Sequence, residues 1–198
     1  MKKFVLKCSL YTLRGMMSFI YFFIKLFPIK SNKVLMISRQ SNEPSIDFKV
    51  LRDEMLKNNP NTQVKMLCKK IPKKIWKRIG YCFYIIKCMY HISTSNVCIV
   101  EGYVIPVSAL KHKKRLVIVQ IWHALGAIKK FGKQVVDQKE GSSSIVANIM
   151  KMHKNYTFVT CASKATREFY AEAFGIEKEK ILVLGMPRID LSLIHISE

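Results

Sequence analysis

Short, continuous apolar runs separated by helix-length segments dominate the sequence from residue 33 onward. Six runs read as strands: KVLMIS at 33–38, QVKMLC at 63–68, NVCIV at 96–100, RLVIVQI at 115–121, YTFVTC at 156–161 and KILVLG at 180–185. Helices are predicted between them at 47–58, 73–92, 143–154 and 164–174. Strands that are apolar throughout are buried on both faces, and helical crossovers make them parallel. The sequence therefore predicts an α/β fold, a Rossmann-like parallel sheet with helices on both faces.

The charge of the chain is strongly basic and unevenly distributed. Its 198 residues include 34 lysines and arginines against 13 acidic residues, a net charge of +21. No acidic residue precedes Glu43, and Glu101 is the only one between Glu54 and Asp137. Such a surface favours a phosphate-bearing partner: nucleic acid, anionic lipid or a phosphorylated substrate. Composition alone does not choose among the three.

The six cysteines show no C-x-x-C pair and lie mostly inside apolar runs. Neither a zinc site nor a disulfide framework is therefore predicted. Free cysteine behaves as a small apolar residue, so we expect buried, reduced thiols in a cytosolic protein.

The first thirty residues, MKKFVLKCSLYTLRGMMSFIYFFIKLFPIK, combine aromatic and basic residues. Their longest run without a charge, residues 15–24, is shorter than the ~20 residues that a spanning helix needs. No small-residue cleavage site follows. We expect an interfacial helix whose aromatic side chains enter the bilayer surface while its lysines meet anionic head groups. A signal anchor and a helix packed on the protein's own core are the alternatives.

The predicted helix at 73–92 carries apolar residues at the 3-and-4 spacing of one buried stripe. The expected stripe comprises Ile75 or Trp76, Ile79, Cys82 or Phe83, Ile86, and Met89 or Tyr90. Lysines 73, 74 and 77 and Arg78 cluster at its amino end, where the helix dipole disfavours cations. An external anion or a solvated basic face would each account for this cluster.

A histidine follows the fourth predicted strand, in the stretch VQIWHALGAIKKFG at 119–132. Ligands of parallel sheets bind at the carboxyl ends of the strands, where His123 is the first titratable side chain. Imidazole accepts a proton at neutral pH, so His123 is a candidate general base. Gly126 would let the backbone approach a ligand, a helix opening after it would aim N–H groups at an anion, and Lys129 and Lys130 add charge. On these residues alone, a structural histidine at a strand end fits equally well.

Two further candidates follow the last two predicted strands. Ser163 follows the fifth strand and is expected to cap a helix that ends at Gly175, and Arg188 follows the sixth. Because all these strands end at one edge, Ser163, Arg188 and His123 are expected to line one cleft. The alternative is that these residues only end strands and begin or end helices.

Three motifs in this order resemble the CDP-glycerol glycerophosphotransferase family, which builds teichoic-acid and related polyol-phosphate chains. They are QIWHALGAIKKFG at 120–132, CASKATREFYAEAFGI at 161–176 and KILVLGMPRIDL at 180–191. The first resembles the family's Trp-His element with trailing lysines, and the last its Gly-x-Pro-Arg-x-Asp element. The resemblance covers roughly residues 31–191.

The resemblance implies the amino-terminal, acceptor-side domain of a GT-B fold. The reaction it implies moves a polyol phosphate from CDP-glycerol or CDP-ribitol to a hydroxyl of a lipid-linked acceptor. His123 falls on the family's amino-terminal active-site histidine, the implied base. The predicted substrate-binding residues are Trp122, Gly126, Lys129, Lys130, Ser163 and Arg188. No Asp-x-Asp motif is present, so neither a metal nor a cofactor is predicted.

The expected organisation is an interfacial helix at 1–30, a Rossmann-like domain at 31–191 and a tail at 192–198, SLIHISE, that departs from the family's pattern. The carboxyl-terminal nucleotide-binding domain is expected to lie outside this sequence, so the chain alone should be inactive. We expect it at the cytoplasmic face of the membrane, bound peripherally to an anionic surface, with no nucleic-acid partner. The alternatives are a nucleotide-sugar GT-B glycosyltransferase and a basic nucleic-acid-binding module, although no nucleic-acid-binding signature is present.

Overall fold

The fold is a six-stranded parallel sheet wrapped by helices. It is known from a computed structural model that describes residues 1–124, 126–139 and 141–189. The strands are β1 (Lys30–Ser38), β2 (Gln63–Cys68), β3 (Ser95–Glu101), β4 (Val117–Gln120), β5 (Phe158–Cys161) and β6 (Ile181–Val183). Their order is β2-β1-β3-β4-β5-β6, and every neighbouring pair is parallel. The predicted sheet is confirmed, with strand ends that differ by up to three residues.

Six α-helices that lie wholly within the described residues connect and cover the strands. They are α1 (Lys2–Ile24), α2 (Ile46–Asn58), α3 (Ile75–Thr94), α4 (Ile105–Ala109), α5 (Ser144–Ile149) and α6 (Arg167–Phe174). The expected helix at 143–154 is shorter than predicted, because Lys151, His153 and Asn155 have positive φ angles that end it. Gly175 ends α6 in the left-handed conformation, as predicted, and the Ser143 side chain caps α5.

The two faces of the sheet are covered by different helices. On one face α1, α3, α4 and α6 pack on a large core that includes Leu35, Val100, Ile118 and Phe174. On the other face α2 packs Phe48 against Met36, Ile99 and Ile121. The expectation of helices on both faces is therefore confirmed.

The predicted buried stripe of α3 is largely wrong. Trp76 is 81% exposed and Phe83 71% exposed, and Ile79, Ile86, Tyr90 and Cys82 are exposed as well. The residues that pack inward are Tyr84, Ile85, Cys88, Met89 and Ile92. Because α3 is apolar around most of its circumference, two sets of residues share the 3-and-4 spacing, and spacing alone does not reveal which one meets the sheet.

The amino-terminal helix α1 packs on the core with one side, which was one of the expected alternatives. Met17 and Tyr21 are buried in the core, and the Tyr21 hydroxyl lies 2.8 Å from Nδ1 of His112. The opposite side leaves large apolar residues exposed, among them Phe4, Tyr11, Met16, Phe19, Phe22, Phe23, Leu26 and Phe27. No helix in the described part of the chain is both long and apolar enough to span a bilayer.

The described cysteines are free thiols, and their burial differs from expectation at two positions. Cys88, Cys98 and Cys161 are buried and Cys68 is half-buried. Cys8 and Cys82 are exposed, so the expectation of burial is wrong for them. They lie on the outer sides of α1 and α3, where apolar runs continue onto the surface.

Candidate functional site

The strand order creates a crevice at the carboxyl end of the sheet. β2 lies on one side of β1 and β3 on the other, so the connections diverge between β1 and β3. Ligands of doubly wound sheets bind at such a point. Arg39 and Gln40 follow β1, Glu101 and Gly102 stand at the end of β3, and Trp122 and His123 follow β4. We call these loops the carboxyl-edge site.

A buried glutamine fixes the loops of this site against each other. The side-chain oxygen of Gln120 accepts hydrogen bonds from the backbone N–H groups of Gly102 and Trp122, both at 3.0 Å. Its side-chain nitrogen donates to the Gly102 carbonyl at 2.9 Å and to the Tyr156 hydroxyl at 3.0 Å. These four bonds use the full capacity of the amide. They hold Trp122 at a φ of 47°, which is unusual for a bulky residue.

The indole of Trp122 supports the neighbouring imidazole. It stacks on Phe131 at a centroid distance of 4.9 Å and meets Phe174 edge-on at 5.5 Å. Its ring centroid lies 4.2 Å from that of His123. The tryptophan predicted as a substrate contact therefore packs on the core with one part and against His123 with another.

His123 is half-buried, and its two ring nitrogens differ. Nδ1 lies 3.5 Å from Nε2 of Gln40, and no hydrogen bond in the described part of the chain involves Nε2 of His123. An added Cβ at Gly102 would come within 2.9 Å of the Gln40 amide nitrogen and displace it, and the φ of 90° there also favours glycine. Burial lowers the pKa of His123 and Arg188 lowers it further, while Glu101 acts in the opposite direction. The imidazole is therefore neutral at physiological pH.

Arg188 reaches the carboxyl-edge site but is paired with an acid. Its Nε donates to the two carboxylate oxygens of Asp47 at 2.9 and 3.1 Å, and its backbone N–H donates to Oδ1 at 3.0 Å. One guanidinium nitrogen also lies 3.5 Å from the His123 carbonyl oxygen. Asp47 is fully buried in the first turn of α2, so its negative charge offsets most of the positive charge that Arg188 was predicted to offer a substrate.

The remaining predicted residues lie on the same edge but do not converge. Ser163 is exposed after β5, with its hydroxyl 3.4 Å from that of Thr166, and starts a 3₁₀ turn (Lys164–Thr166). Lys129 and Lys130 are exposed on the loop after His123, where the expected helix is absent. Gly126 has room for a side chain, since an added Cβ would meet only Ile128 at 3.8 Å.

Four polar residues of this region were missed by sequence reasoning: Arg39, Gln40, Asp47 and Glu101. Glu101 is 3% exposed, and its negative charge acts to raise the pKa of both His123 and Arg188. Arg39 lies 4.9 Å from the ring centroid of Tyr103. A signal was present for Glu101, which directly follows an apolar strand and is the only acid in a long basic stretch. Within the three described segments, no group of three His, Cys, Asp or Glu side chains is placed to hold a metal ion.

The strand order and the crevice at its carboxyl edge define a doubly wound α/β domain of the Rossmann-like class. Residues 19–195 match the family described as CDP-Glycerol:Poly(glycerophosphate) glycerophosphotransferase. The chain belongs to this family, as its motifs predicted.

Similar sequences agree with this assignment. The chain is 33% identical over 165 residues to a teichoic acid ribitol-phosphate primase of Bacillus spizizenii, a match that covers 83% of this chain and 42% of the primase. It is 25% identical over 198 residues to a teichoic acid glycerol-phosphate primase of Bacillus subtilis, covering 92% of this chain and 48% of that one. The chain thus spans less than half the length of these two relatives.

The fold is shared with the wall teichoic acid polymerase TagF. One TagF structure superposes with a TM-score of 0.65 at 14% identity, covering 96% of this chain and 49% of that chain. A TagF variant soaked with CDPG gives 0.64 at 16% identity, covering 97% and 50%.

Proposed function

We propose that this chain is the amino-terminal, acceptor-side part of a transferase that moves a polyol phosphate from a CDP-activated donor, CDP-glycerol or CDP-ribitol, to a hydroxyl of a lipid-linked acceptor. The observation that carries the proposal is His123. It stands at the carboxyl edge with Nε2 free of hydrogen bonds to described residues and Nδ1 beside Gln40. Backbone groups bonded to both ring nitrogens would instead have favoured a structural histidine.

The proposed role of His123 is general base. Its Nε2 takes the proton of the acceptor hydroxyl, the acceptor oxygen bonds to the phosphorus of the polyol phosphate, and the bond to the CMP oxygen breaks. CMP leaves with the bonding electron pair. Phosphoryl transfer of this kind depends on positioning and charge stabilisation, so a base and nearby cations suffice. Lys129 and Lys130 make no ion pair within the described residues and can supply that charge, whereas Arg188 is offset by Asp47.

The orientation of the Gln40 amide bears on which ring nitrogen can act as the base. A Gln40 amide that donates through its Nε2 makes Nδ1 the acceptor and places the proton of the neutral imidazole on the ring Nε2. Rotation of the amide by half a turn would let its oxygen accept from Nδ1–H and leave the ring Nε2 unprotonated. In the proposed reaction the second arrangement is the competent one, because the base must begin without a proton.

We also propose peripheral binding to an anionic membrane at its cytoplasmic face. Both α1 and α3 leave aromatic residues exposed. The segment that follows α1 meets the carboxyl end of α3 where Phe27 contacts Tyr90, at 5.4 Å between ring centroids. Exposed lysines lie on the same two helices or just before them, at 3, 7, 73, 74 and 77. Aromatic side chains at the bilayer surface and lysines near anionic head groups reinforce one another.

The organisation expected from the sequence stays part of this proposal. It comprises an interfacial helix at 1–30, a Rossmann-like domain at 31–191 and a donor-binding domain beyond them, while 192–198 lies outside the described residues. Family membership does not favour the nucleotide-sugar transferase or the nucleic-acid-binding module.

The decisive experiment uses the chain extended to the length of its relatives. We expect His123→Ala to lower kcat by about 10²–10⁴-fold while donor binding, measured by calorimetry, changes little. Lys49→Ala, an exposed change on α2, serves as the control and should retain activity. The unextended chain should transfer nothing. Full activity of the His123→Ala enzyme would rule out the base role.

A further inference from the structure

A basic cavity lies at the amino edge of the sheet, opposite the carboxyl-edge site. It has a volume of about 250 Å³ and is formed by the starts of β1 and β2 and the carboxyl end of α3. We call it the amino-edge cavity; its lining residues in this argument are Lys30, Lys33, Gln63, Lys65, Tyr90 and His91. A cavity of this size accommodates a phosphate group together with part of the molecule that carries it.

The charge of this cavity is uncompensated by acids. Lys33 stands opposite Gln63, and Lys65 is two residues further along β2, so both lysines project to the same face of the sheet. Lys30, at the start of β1, is close enough that its charge lowers the pKa of Lys33. No carboxylate of the described residues forms an ion pair with Lys30, Lys33 or Lys65. A buried cation without an acidic partner is costly, so an external anion would stabilise it.

Several hydrogen-bonding groups of the cavity lack partners. Lys33 is only 7% exposed, and its ammonium donates to Thr94 Oγ1 at 2.6 Å, which leaves two of its three N–H groups without an acceptor among the described residues. The Tyr90 ring centroid, 5.4 Å away, offers only a cation–π contact. Nδ1 of His91 is buried, and no group in the described part of the chain forms a hydrogen bond with it. The cavity thus presents unused donors on a buried cation.

The carboxyl end of α3 opposes an anion here but is the weaker effect. A helix end carries about half a negative charge, and the Thr94 and Ser95 hydroxyls already donate to the carbonyls of Tyr90 and His91. Three lysines outweigh this partial charge. Burial and the neighbouring lysines lower the pKa of His91 to about 4 and lower that of Lys33, as expected of cations held together without an anion.

We propose that the amino-edge cavity binds a phosphate group, as a free phosphate or monoester or as the diester head group of an anionic lipid. The cavity adjoins the meeting point of α1 and α3, since its Tyr90 contacts Phe27, so a lipid head group can reach it from a docked membrane. The site is independent of the proposed transfer reaction, because it lies at the other end of the strands.

The first arm of the test measures free phosphate. We follow the His91 ring signals by NMR during titration with inorganic phosphate at constant ionic strength, with chloride as the reference salt. A saturable shift is expected in the wild-type chain. In Lys30→Met/Lys65→Met, which removes two exposed lysines, the affinity should fall at least tenfold. Lys49→Met/Lys57→Met removes the same charge from α2 on the opposite face and should leave it unchanged.

The second arm measures lipid. The same two double variants are tested for flotation with vesicles of phosphatidylcholine containing one-fifth phosphatidylglycerol. Loss of vesicle binding in Lys30→Met/Lys65→Met but not in the control, without any shift by free phosphate, assigns the site to a lipid head group. A free-phosphate shift that depends on Lys30 and Lys65 assigns it to a soluble ligand. Equal behaviour of the two variants in both arms, with circular dichroism confirming that each is folded, overturns the proposal.

Discussion

Asp47 binds Arg188 across 141 residues of sequence, through both carboxylate oxygens and through the arginine's backbone N–H as well as its guanidinium. The pair ties the helical residues 187–189, which follow β6, to the first turn of α2. It also explains how a fully buried carboxylate is tolerated, since its negative charge is matched by a cation and by several hydrogen bonds.

Substitution of Arg188 and substitution of Asp47 should lower the free energy of unfolding by different amounts. Arg188→Met leaves Asp47 buried and uncompensated, so we expect about 3 kcal/mol or more of lost unfolding free energy. Asp47→Asn leaves a partly exposed arginine that water can solvate and should cost about 1–2 kcal/mol. Urea denaturation measures both, and the double variant should lose less than the sum of the two. A larger loss for Asp47→Asn would contradict this account.

The pKa of His123 should respond in opposite directions to two neighbouring substitutions. Gln40→Glu places a carboxylate near Nδ1 and should raise the pKa. Glu101→Gln removes a negative charge that favours the imidazolium and should lower the pKa further below 6.5. NMR titration of the ring measures both without any activity assay. His91, at the other edge, is the internal reference, and a pKa of His123 that moves in neither variant would contradict the described geometry.

Stability should depend on pH through His153. This side chain is 4% exposed, and burial lowers its pKa from 6.5 to about 3. Between these values the unfolded chain binds a proton that the folded chain does not, so stability falls as the pH falls through this window. His153→Asn removes the titration and suits the left-handed backbone there, where φ is 58°.

The measurement is a series of urea denaturations between pH 6.5 and pH 4. The slope of unfolding free energy against pH should be shallower in His153→Asn by about one proton, roughly 1.4 kcal/mol per pH unit. The other histidines whose pKa is lowered are present in both proteins, so their contributions to the slope cancel when the two slopes are subtracted. Identical slopes would show that His153 titrates alike in the folded and unfolded chains.

Membrane binding should depend on aromatic residues of both α1 and α3. Trp76→Ser/Phe83→Ser and Phe19→Ser/Phe23→Ser each remove two exposed aromatic rings, and each should weaken partition into anionic vesicles roughly tenfold or more. Ile128→Ser, an exposed apolar residue on the loop after His123, is the control and should have no effect. High salt or alkaline carbonate should partly release the wild-type chain. Release by detergent alone would instead indicate an anchor that spans the bilayer.

The parallel sheet was predictable because continuous apolar runs leave few other ways to bury both faces. The position of His123 followed from the same pattern, since a strand end fixes the edge on which the next residue lies. The outward face of α3 was not predictable. The set of apolar residues that contains Trp76 and the set that contains Met89 both show the 3-and-4 spacing, and only tertiary contacts reveal which set is buried. Nor could the sequence show that Asp47 neutralises Arg188, because this contact depends on how α2 and the segment after β6 are placed in space.

The strand order also bears on how the chain reaches this structure. β1 accepts β2 on one side and β3 on the other, and β4, β5 and β6 then attach in turn to the outermost strand. No strand has to be inserted between two that have already paired, so the sheet can be assembled in the order in which the ribosome delivers it. Everything up to Glu101 can form a three-stranded nucleus before the segment with His123 is synthesised. The segment with His123 would then pack against three strands that have already paired.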